Sequence, residues 1–397
     1  MDWNVTHRER SDTQDPRRTQ RYRRHDLIDW FSQEQVSAAR IAVVGAGAVG
    51  NEVVKNLALL GCGTIDVFDF DVVELHNLTR GVLLRESDAG RNKAEAVAER
   101  ARDLDPNVTV HAVVGDFWDT MSLGRLGRYD SAIAAVDNFE ARVRLNQLCL
   151  LARVNLVNAG LDSRWAAVES FPFAASPEAA CYECTLPESA YARMAERYSC
   201  GGLRRRAALE RRIPTTAITA SVAGALAASL ALRLGGEAPR HAQRRLLDTL
   251  GGAGSAIEIP RRGDCPGCGA LAPARRVVRT RNRWSPRRDD QSVAGPEIGT
   301  QVVRLSDPLI AGYECAACGP LESADRYLYR RAADFDDGIA TCPQCAAPAV
   351  RIEIRSTFSV GELTARFAGG PVPAKFALAE INGEAVCFDL EEETPGP

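Results

Sequence analysis

The sequence predicts an α/β protein: a Rossmann-like, doubly wound, mostly parallel sheet with a C-terminal extension built around a zinc ribbon. Three observations predict it. The apolar run "RIAVVG" (40–45) leads into the glycine loop G-A-G-A-V-G and then into an amphipathic helix. From 41 to about 160, strand-like and helix-like stretches alternate. Eight of the twelve cysteines stand as four C-x-x-C pairs.

Taken in order, residues 1–25 form a polar, charged arm expected to be mobile. The arm shows no apolar core of a secretory signal, so a cytoplasmic protein is expected. Residues 26–40 carry Leu27, Ile28, Trp30 and Phe31 and are expected to be helical. After the first strand, Val49, Val53, Leu57 and Leu60 fall on one helix face, and "TIDVFD" is the second strand. The helical stretch "KAEAVAERARDL" precedes the strands "VTVHAVV" and "SAIAAV"; "VNLVNAG" and "AAVESF" continue the sheet. Residues 187–213 are Arg-rich with little strand signal and read as a crossover segment. "IPTTAITASVAGALAASLALRL" (213–234) reads as a helix. It is Ala-rich and bounded by Arg and Gly, so a buried helix is expected rather than a membrane span. One nucleotide-binding domain thus covers 26–270. A linker rich in Arg, Pro and Asp follows at 271–300. Residues 301–397 form a small β-rich region, with "VRIEIR" and "AVCFDL" among its strands.

A chain of 397 residues is too long for one compact core, so two or three domains are expected. With 45% hydrophobic and 25% charged residues it has globular composition, and a net charge of −3 gives no argument for nucleic acid or membrane partners. The only lysines are Lys55, Lys93 and Lys375, so a lysine beside a candidate site carries weight that an Arg run does not.

Gly45, Gly47 and Gly50 supply a tight turn, a close backbone approach and close helix packing. Asp69, 19 residues after Gly50, stands where a ribose hydroxyl partner belongs. Alone, this pattern reads as a nicotinamide-dinucleotide site. Its neighbours argue otherwise. "DFDVVELHNLTR" brings Asp69, Asp71, Asn77 and Arg80 together; Lys93 follows, then Asp137 and Asn138 at a strand end. A nicotinamide ring needs apolar surface, whereas these cations and carboxylates suit a triphosphate. Arg80 and Lys93 could stabilise a pentacovalent phosphorus, and Asp137 could hold Mg²⁺. The plainer alternative is a set of solvated charges at strand ends.

Together "RYRRHD", "GAGAVG", "DFDVVELHNLTR", "RNKAE", "VDNFEARVRLN" and "CYEC" resemble the ThiF/MoeB-type adenylyltransferase superfamily, which includes the ubiquitin-activating enzymes. The resemblance covers residues 21 to about 270. It implies a homodimer that uses ATP to adenylate the C-terminal carboxylate of a ubiquitin-like or sulfur-carrier protein. It assigns Gly45, Gly47 and Gly50 to the ATP loop, Asp69 to the ribose, and Asn77, Arg80 and Lys93 to the phosphates and catalysis. Asp71 falls in the same nucleotide-binding stretch. Asp137 becomes the magnesium-linked aspartate. Arg24 matches an arginine that reaches the partner subunit's γ-phosphate, with Arg21 and Arg23 as alternative registers. His76 stands where relatives often have Ser, and "NLTR" replaces "NLQR"; neither change removes a charge the chemistry needs.

Cys181 and Cys184 with Cys265 and Cys268 fit one closed, structural Cys₄ zinc site. Cys315 and Cys318 with Cys342 and Cys345 fit a zinc ribbon, either a docking module or a stabilising staple. Cys62 and Cys149 lie on apolar helical patterns, and Cys387 lies in a strand-like run. Cys200 sits between the first zinc pair and the apolar helix, next to Gly201 and Gly202 and close to Arg204, Arg205 and Arg206, which would favour a thiolate. Ubiquitin-activating relatives place a thioester-forming cysteine in this region; the alternative is a spare thiol. Five histidines give little support to a Cys-His or Ser-His hydrolase.

The expected function is therefore ATP-dependent activation of a ubiquitin-like protein ending in glycine. Thioester formation on Cys200 and transfer to a conjugating enzyme recruited by 301–397 would follow. An adenylyltransferase for a sulfur carrier is one alternative. A non-catalytic binding scaffold is another, against which Arg80, Lys93 and Asp137 count.

Overall fold

The computed structural model describes residues 20–191, 215–236, 239–271, 276–279, 302–321, 328–334, 342, 344–347, 350–367, 370–381 and 384–390. Cys200 and the arginines beside it lie outside these residues, as does most of 271–300. The chain divides into two compact units. One takes in the chain up to Cys184 together with Ile213–Arg262; the other takes in Thr185–Arg212 and Gly263–Gly396.

The first unit is built on an eight-stranded sheet. Its strands are β1 (Arg40–Val44), β2 (Thr64–Asp69), β3 (Thr109–Val114), β4 (Ser131–Ala134), β5 (Asn155–Leu161), β6 (Trp165–Phe171), β7 (Gln243–Asp248) and β8 (Gly254–Glu258). They lie in the order β3-β2-β1-β4-β5-β6-β7-β8. The first five are mutually parallel, and β6, β7 and β8 add antiparallel. Chain order reverses between β1 and β4, so the crevice outside their C-terminal ends is a topological switch point, where open α/β sheets take ligands.

The expected strands form. The mostly parallel α/β sheet follows from their apolar runs, buried on both faces in β1 and β4. The stretch 26–40 is not one helix. A 3₁₀ turn at His25–Leu27 and a short helix α1 (Gln33–Ala38) replace it, the latter capped by Ser32. Strands β7 and β8 were not expected, because "QRRLLD" and "GSAIE" carry no long apolar run; β7 pairs with β6 and β8, and β8 is the exposed edge of the sheet.

Among the helices are α2 (Ala48–Leu59), α3 (Lys93–Leu104), the one-turn α4 (Phe117–Thr120) and α5 (Leu123–Leu126), α6 (Phe139–Ala152) and α7 (Ala217–Leu234). Helix α7 is long and apolar enough to cross a membrane, with a mean hydropathy of 1.6, but half of that window is buried inside the protein. Its alanines 223, 227, 228 and 231 pack with Val53, Val54 and Leu57 of α2 and with Ile41, Ile133 and Val157 of the sheet. A Cβ on Gly224 would lie 2.4 Å from Cβ of Glu52, so the two helices touch backbone-close. Ser131 Oγ and Asn155 Nδ2 donate to the Ala231 and Leu234 carbonyls (3.0 Å each), satisfying the end of α7.

The second unit holds β9 (Arg276–Arg279), β10 (Val302–Cys315), β11 (Gly319–Pro320), β12 (Val350–Ser359), β13 (Phe376–Ile381) and β14 (Glu384–Asp389), with helices α8 (Cys268–Leu271) and α9 (Val360–Phe367). The sheet order is β11-β10-β13-β14-β9, with β12 paired to β10. Four residues of the stretch read as a linker are thus strand β9, parallel to β14. Leu305, Leu309, Phe358, Leu363, Ala377 and Val386 form the core beneath α9.

Candidate active site

The glycine loop begins where β1 ends. Gly45 has φ +98°, a left-handed value that favours glycine, and a Cβ there would lie 2.5 Å from the Ala135 carbonyl. A Cβ on Gly50 would lie 1.9 Å from the Gly45 carbonyl oxygen, so α2 can start only with glycine in its first turn. Gly47 differs: a Cβ there meets nothing within 4 Å. Gly47 is also the N-cap of α2, and no side chain caps it. The loop therefore presents open space above uncapped first-turn N–H groups, a cradle for an anion.

Asp69 closes the loop from the next strand. Its Oδ2 accepts the Ala46 N–H at 2.6 Å and its Oδ1 accepts the Asp71 N–H at 2.8 Å. Burial raises its pKa above the usual carboxylate value, and the two backbone N–H groups only partly offset this. Lys93, the first residue of α3, is joined to Asp71 twice. Its N–H donates to the Asp71 carbonyl at 2.9 Å, and its Nζ pairs with the Asp71 carboxylate at 2.8 Å. That exposed carboxylate makes the pair worth only about 0.2–1 kcal/mol, so it places the ammonium more than it stabilises the fold.

Asn77 and Arg80 lie on the segment that leaves β2. Asn77 Oδ1 accepts the Glu74 N–H at 2.9 Å, and its Nδ2 lies 3.1 Å from His76 Nε2. Arg80 donates to the His76 carbonyl at 3.0 Å and, among the described residues, meets no carboxylate. Asp137 follows β4, is exposed, and contacts the Asn138 amide at 3.4 Å. The structure thus brings the glycine loop, Asp69, Asp71 and Lys93 into direct contact. Asp137 stands at the C-terminal end of the neighbouring strand, and Asn77 and Arg80 lie on the excursion between β2 and α3.

At the N-terminus, Arg21 is engaged within its own chain: NH1 donates to the Leu104 carbonyl at 2.9 Å, and Nε lies 3.6 Å from Asp105. Tyr22 is buried and donates to the same Asp105 at 2.5 Å. Arg23 and Arg24 are exposed, so of the three registers Arg21 is the one already occupied.

Each set of four thiols expected to share a metal comes together. The sulfur atoms of Cys181, Cys184, Cys265 and Cys268 lie within 4.8 Å of one another, as do those of Cys315, Cys318, Cys342 and Cys345. The first four are buried. In the second set the Ala317 and Gln344 N–H groups donate to Cys315 and Cys342 sulfur at 3.4 Å each. The backbone N–H groups of Ala317 and Cys318 lower the Cys315 thiol to about 7. Four soft sulfur donors in each cluster match a closed zinc site. Cys62 and Cys387 are fully buried, and desolvation raises each to about 12, so they are core thiols.

Sequence reasoning missed two supports. Asn92 precedes Lys93 and bonds both neighbouring segments. Arg142 of α6 donates to the Val136 carbonyl next to Asp137 and to Asn158, which in turn donates to Glu169 at 2.6 Å; Arg244 donates to the same Glu169 at 2.7 Å. Nothing in the sequence singles Arg142 out, because Glu140 and Arg144 stand beside it on the same helix.

Residues 20–267, more than half of the chain, match the ThiF family. The chain belongs to the ThiF family. It is 33% identical over 172 residues to the SAMP-activating enzyme E1 of Haloferax volcanii, covering 43% of this chain and 62% of that protein. It is 31% identical over 194 residues to ubiquitin-like modifier-activating enzyme 5 of Bombyx mori, covering 46% and 48%. It is 29% identical over 240 residues to adenylyltransferase and sulfurtransferase MOCS3 of Sus scrofa, covering 60% and 50%. The ThiF-family chain spans less than two thirds of the length of each of these relatives. Among solved structures, E. coli MccB with MccA-N7isoASN superposes with a TM-score of 0.52 at 23% identity, covering 65% of this chain and 76% of that one. That likeness concerns the fold.

Proposed function

We propose that this ThiF-family chain is an ATP-dependent adenylyltransferase that activates the C-terminal carboxylate of a ubiquitin-like protein ending in glycine. The observation that carries the reading is the open Gly47 cradle, flanked by Asp69 and Lys93, at the switch point between β1 and β4. The names of the similar proteins support the reading, since they include activating enzymes for ubiquitin-like modifiers and an adenylyltransferase.

In this reading the α2 N-terminus receives phosphate through backbone N–H groups, and Asp69 accepts a ribose hydroxyl. Lys93 leaves Asp71 for the α-phosphate, and Arg80 and Asn77 carry charge on the outer phosphates. An oxygen of the carrier's carboxylate forms a bond to the α-phosphorus as the bond to the bridging oxygen breaks. Pyrophosphate departs with that electron pair, and an acyl-adenylate remains. Asp137 is the carboxylate that would hold Mg²⁺, which would neutralise phosphate charge. Arg24, exposed at the N-terminus, is proposed to act across a homodimer on the γ-phosphate.

The second step is proposed as attack of the Cys200 thiolate on the acyl-adenylate carbonyl. A thioester forms and AMP leaves. The region 301–397 is then the surface that receives a conjugating enzyme, with its Cys₄ cluster as a structural zinc site. Sulfur-carrier activation shares the first step and lacks the second. Incubation with Mg²⁺-ATP and a panel of glycine-ending carriers tests both. Ubiquitin-like activation gives a thiol-sensitive carrier–enzyme adduct that Cys200→Ala abolishes. An adduct that persists in Cys200→Ala removes Cys200 from the mechanism, and adenylate without adduct favours the sulfur-carrier route. Neither nucleic acid nor membrane enters the proposal, and a cytoplasmic location is part of it.

A further inference from the structure

Asn92 stands directly before Lys93, where a sequence reader sees only a helix cap. It is that: its Oδ1 accepts the Ala94 N–H at 2.9 Å and the Glu95 N–H at 3.3 Å, capping α3. The other end of the amide faces elsewhere. Nδ2 donates to the Asp69 carbonyl at 3.3 Å and to the Asp71 carbonyl at 3.1 Å. The orientation is forced from both sides, because a flipped amide would set NH₂ against two N–H groups and oxygen against two carbonyls. Around this amide the segments are laced further. The Lys93 N–H meets the Asp71 carbonyl at 2.9 Å, the Val73 N–H meets the Arg91 carbonyl at 2.8 Å, and Val72 and Asn92 form an antiparallel bridge.

We infer that Asn92 is a positioning residue of the nucleotide site. It fixes the turn 69–71 against the α3 N-terminus, and so sets where Asp69 and Lys93 stand relative to the glycine loop. Ser, Thr and Asp cap helices as well as Asn does, but none carries an amide donor. Only Asn both caps α3 and holds the two carbonyls; Asp would place a carboxylate against them. The connection reaches the loop itself, because the Asp69 carboxylate holds the Ala46 N–H. The inference rests on the ATP reading above.

The test compares wild type, Asn92→Ser, Asn92→Asp, Lys93→Ala and the double variant Asn92→Ser/Lys93→Ala. It uses thermal melting, amide hydrogen exchange over 69–75 and 91–95, and calorimetric binding of Mg²⁺-ATP. Both Asn92 variants keep the cap, so both should still fold and melt cooperatively, Asn92→Asp lower than Asn92→Ser because its carboxylate faces two carbonyls. Both should lose amide protection at Val73 and Lys93 and bind Mg²⁺-ATP about tenfold more weakly. Asn92→Ser should add less than about twofold once Lys93 is already Ala, because the two act as one unit. Unchanged amide protection overturns the inference. So does affinity within about twofold of wild type, including the case in which melting alone is lowered, which is the behaviour of a simple cap. A wild-type chain that does not bind Mg²⁺-ATP sinks the ATP reading instead. In that case the amide protection alone decides the clamp: lost in both variants it stands, retained it falls.

Discussion

The Asp69 carboxylate holds the backbone N–H of Ala46 at 2.6 Å, which ties the acid at the end of β2 to the glycine loop at the end of β1. Asp69 is thus committed to the loop before any nucleotide arrives, and burial keeps its pKa above the normal carboxylate value. A raised folded-state pKa contributes stability that is complete below the unfolded pKa and lost as pH rises through the folded one. At neutral pH the charged Asp69 therefore weakens the fold. Asp69→Asn removes the charge and keeps an oxygen for Ala46, but turns an NH₂ on the Asp71 N–H that Oδ1 accepts. The two effects oppose each other, so its melting temperature at pH 7 should stay near wild type, while Mg²⁺-ATP affinity falls about tenfold or more with the loss of a charged hydrogen-bond acceptor. A large drop in melting temperature would show that the charge supports the fold.

Gly47 and Gly50 should separate binding from folding. Gly47→Ala adds a methyl to open space, so stability should change by less than about 1 kcal/mol while ATP binding is blocked. Gly50→Ala drives a methyl into the Gly45 carbonyl and should cost about 1–3 kcal/mol or more in chemical denaturation. Equal effects on stability would mean that the loop is not an open cradle.

Elemental analysis of protein purified without chelator should find about two zinc ions per chain, one for each thiol cluster. Cys181→Ser and Cys345→Ser should each lower the content by about one. A strong chelator should lower the melting temperature, since metal binding at such sites is folding free energy. Full retention of stability in metal-free protein would remove the structural role.

Away from the nucleotide site, Asp66 is buried, which alone would raise its pKa. Hydrogen bonds from Tyr129, His111 and Arg125 more than reverse this and leave it lowered. A lowered folded-state pKa contributes stability that is present above the unfolded carboxylate pKa and lost as pH falls through the folded value. Tyr129→Phe should therefore cost about 1.5–3 kcal/mol at neutral pH. The gap from wild type should narrow as pH falls below about 4, the ordinary Asp value. A pH-independent gap would mean that Tyr129 acts through packing alone.

Much of the first unit was legible because its signals are periodic. The apolar runs of β1, β2 and β4 and the helix pattern over Lys93–Leu104 can be read by spacing alone. The thiol clusters were legible because C-x-x-C places two ligands on one turn. The long strand β10 was not, because Pro308 and two register shifts break its alternation, so Val302–Cys315 reads as loop punctuated by short runs. The Asn92 clamp and the Arg142 contact with the Val136 carbonyl were hidden for a different reason. They are side-chain to backbone bonds set by the fold, which no periodic pattern encodes.

The central claim is that the glycine loop and its cations hold Mg²⁺-ATP for attack by a carrier's terminal carboxylate. Isotope exchange between pyrophosphate and ATP measures that step in isolation. Exchange should appear only when a glycine-ending carrier is added, and Lys93→Ala and Arg80→Ala should each reduce it about 100-fold or more. Carrier-dependent exchange that survives both substitutions, or no exchange with any carrier of the panel, would contradict the account.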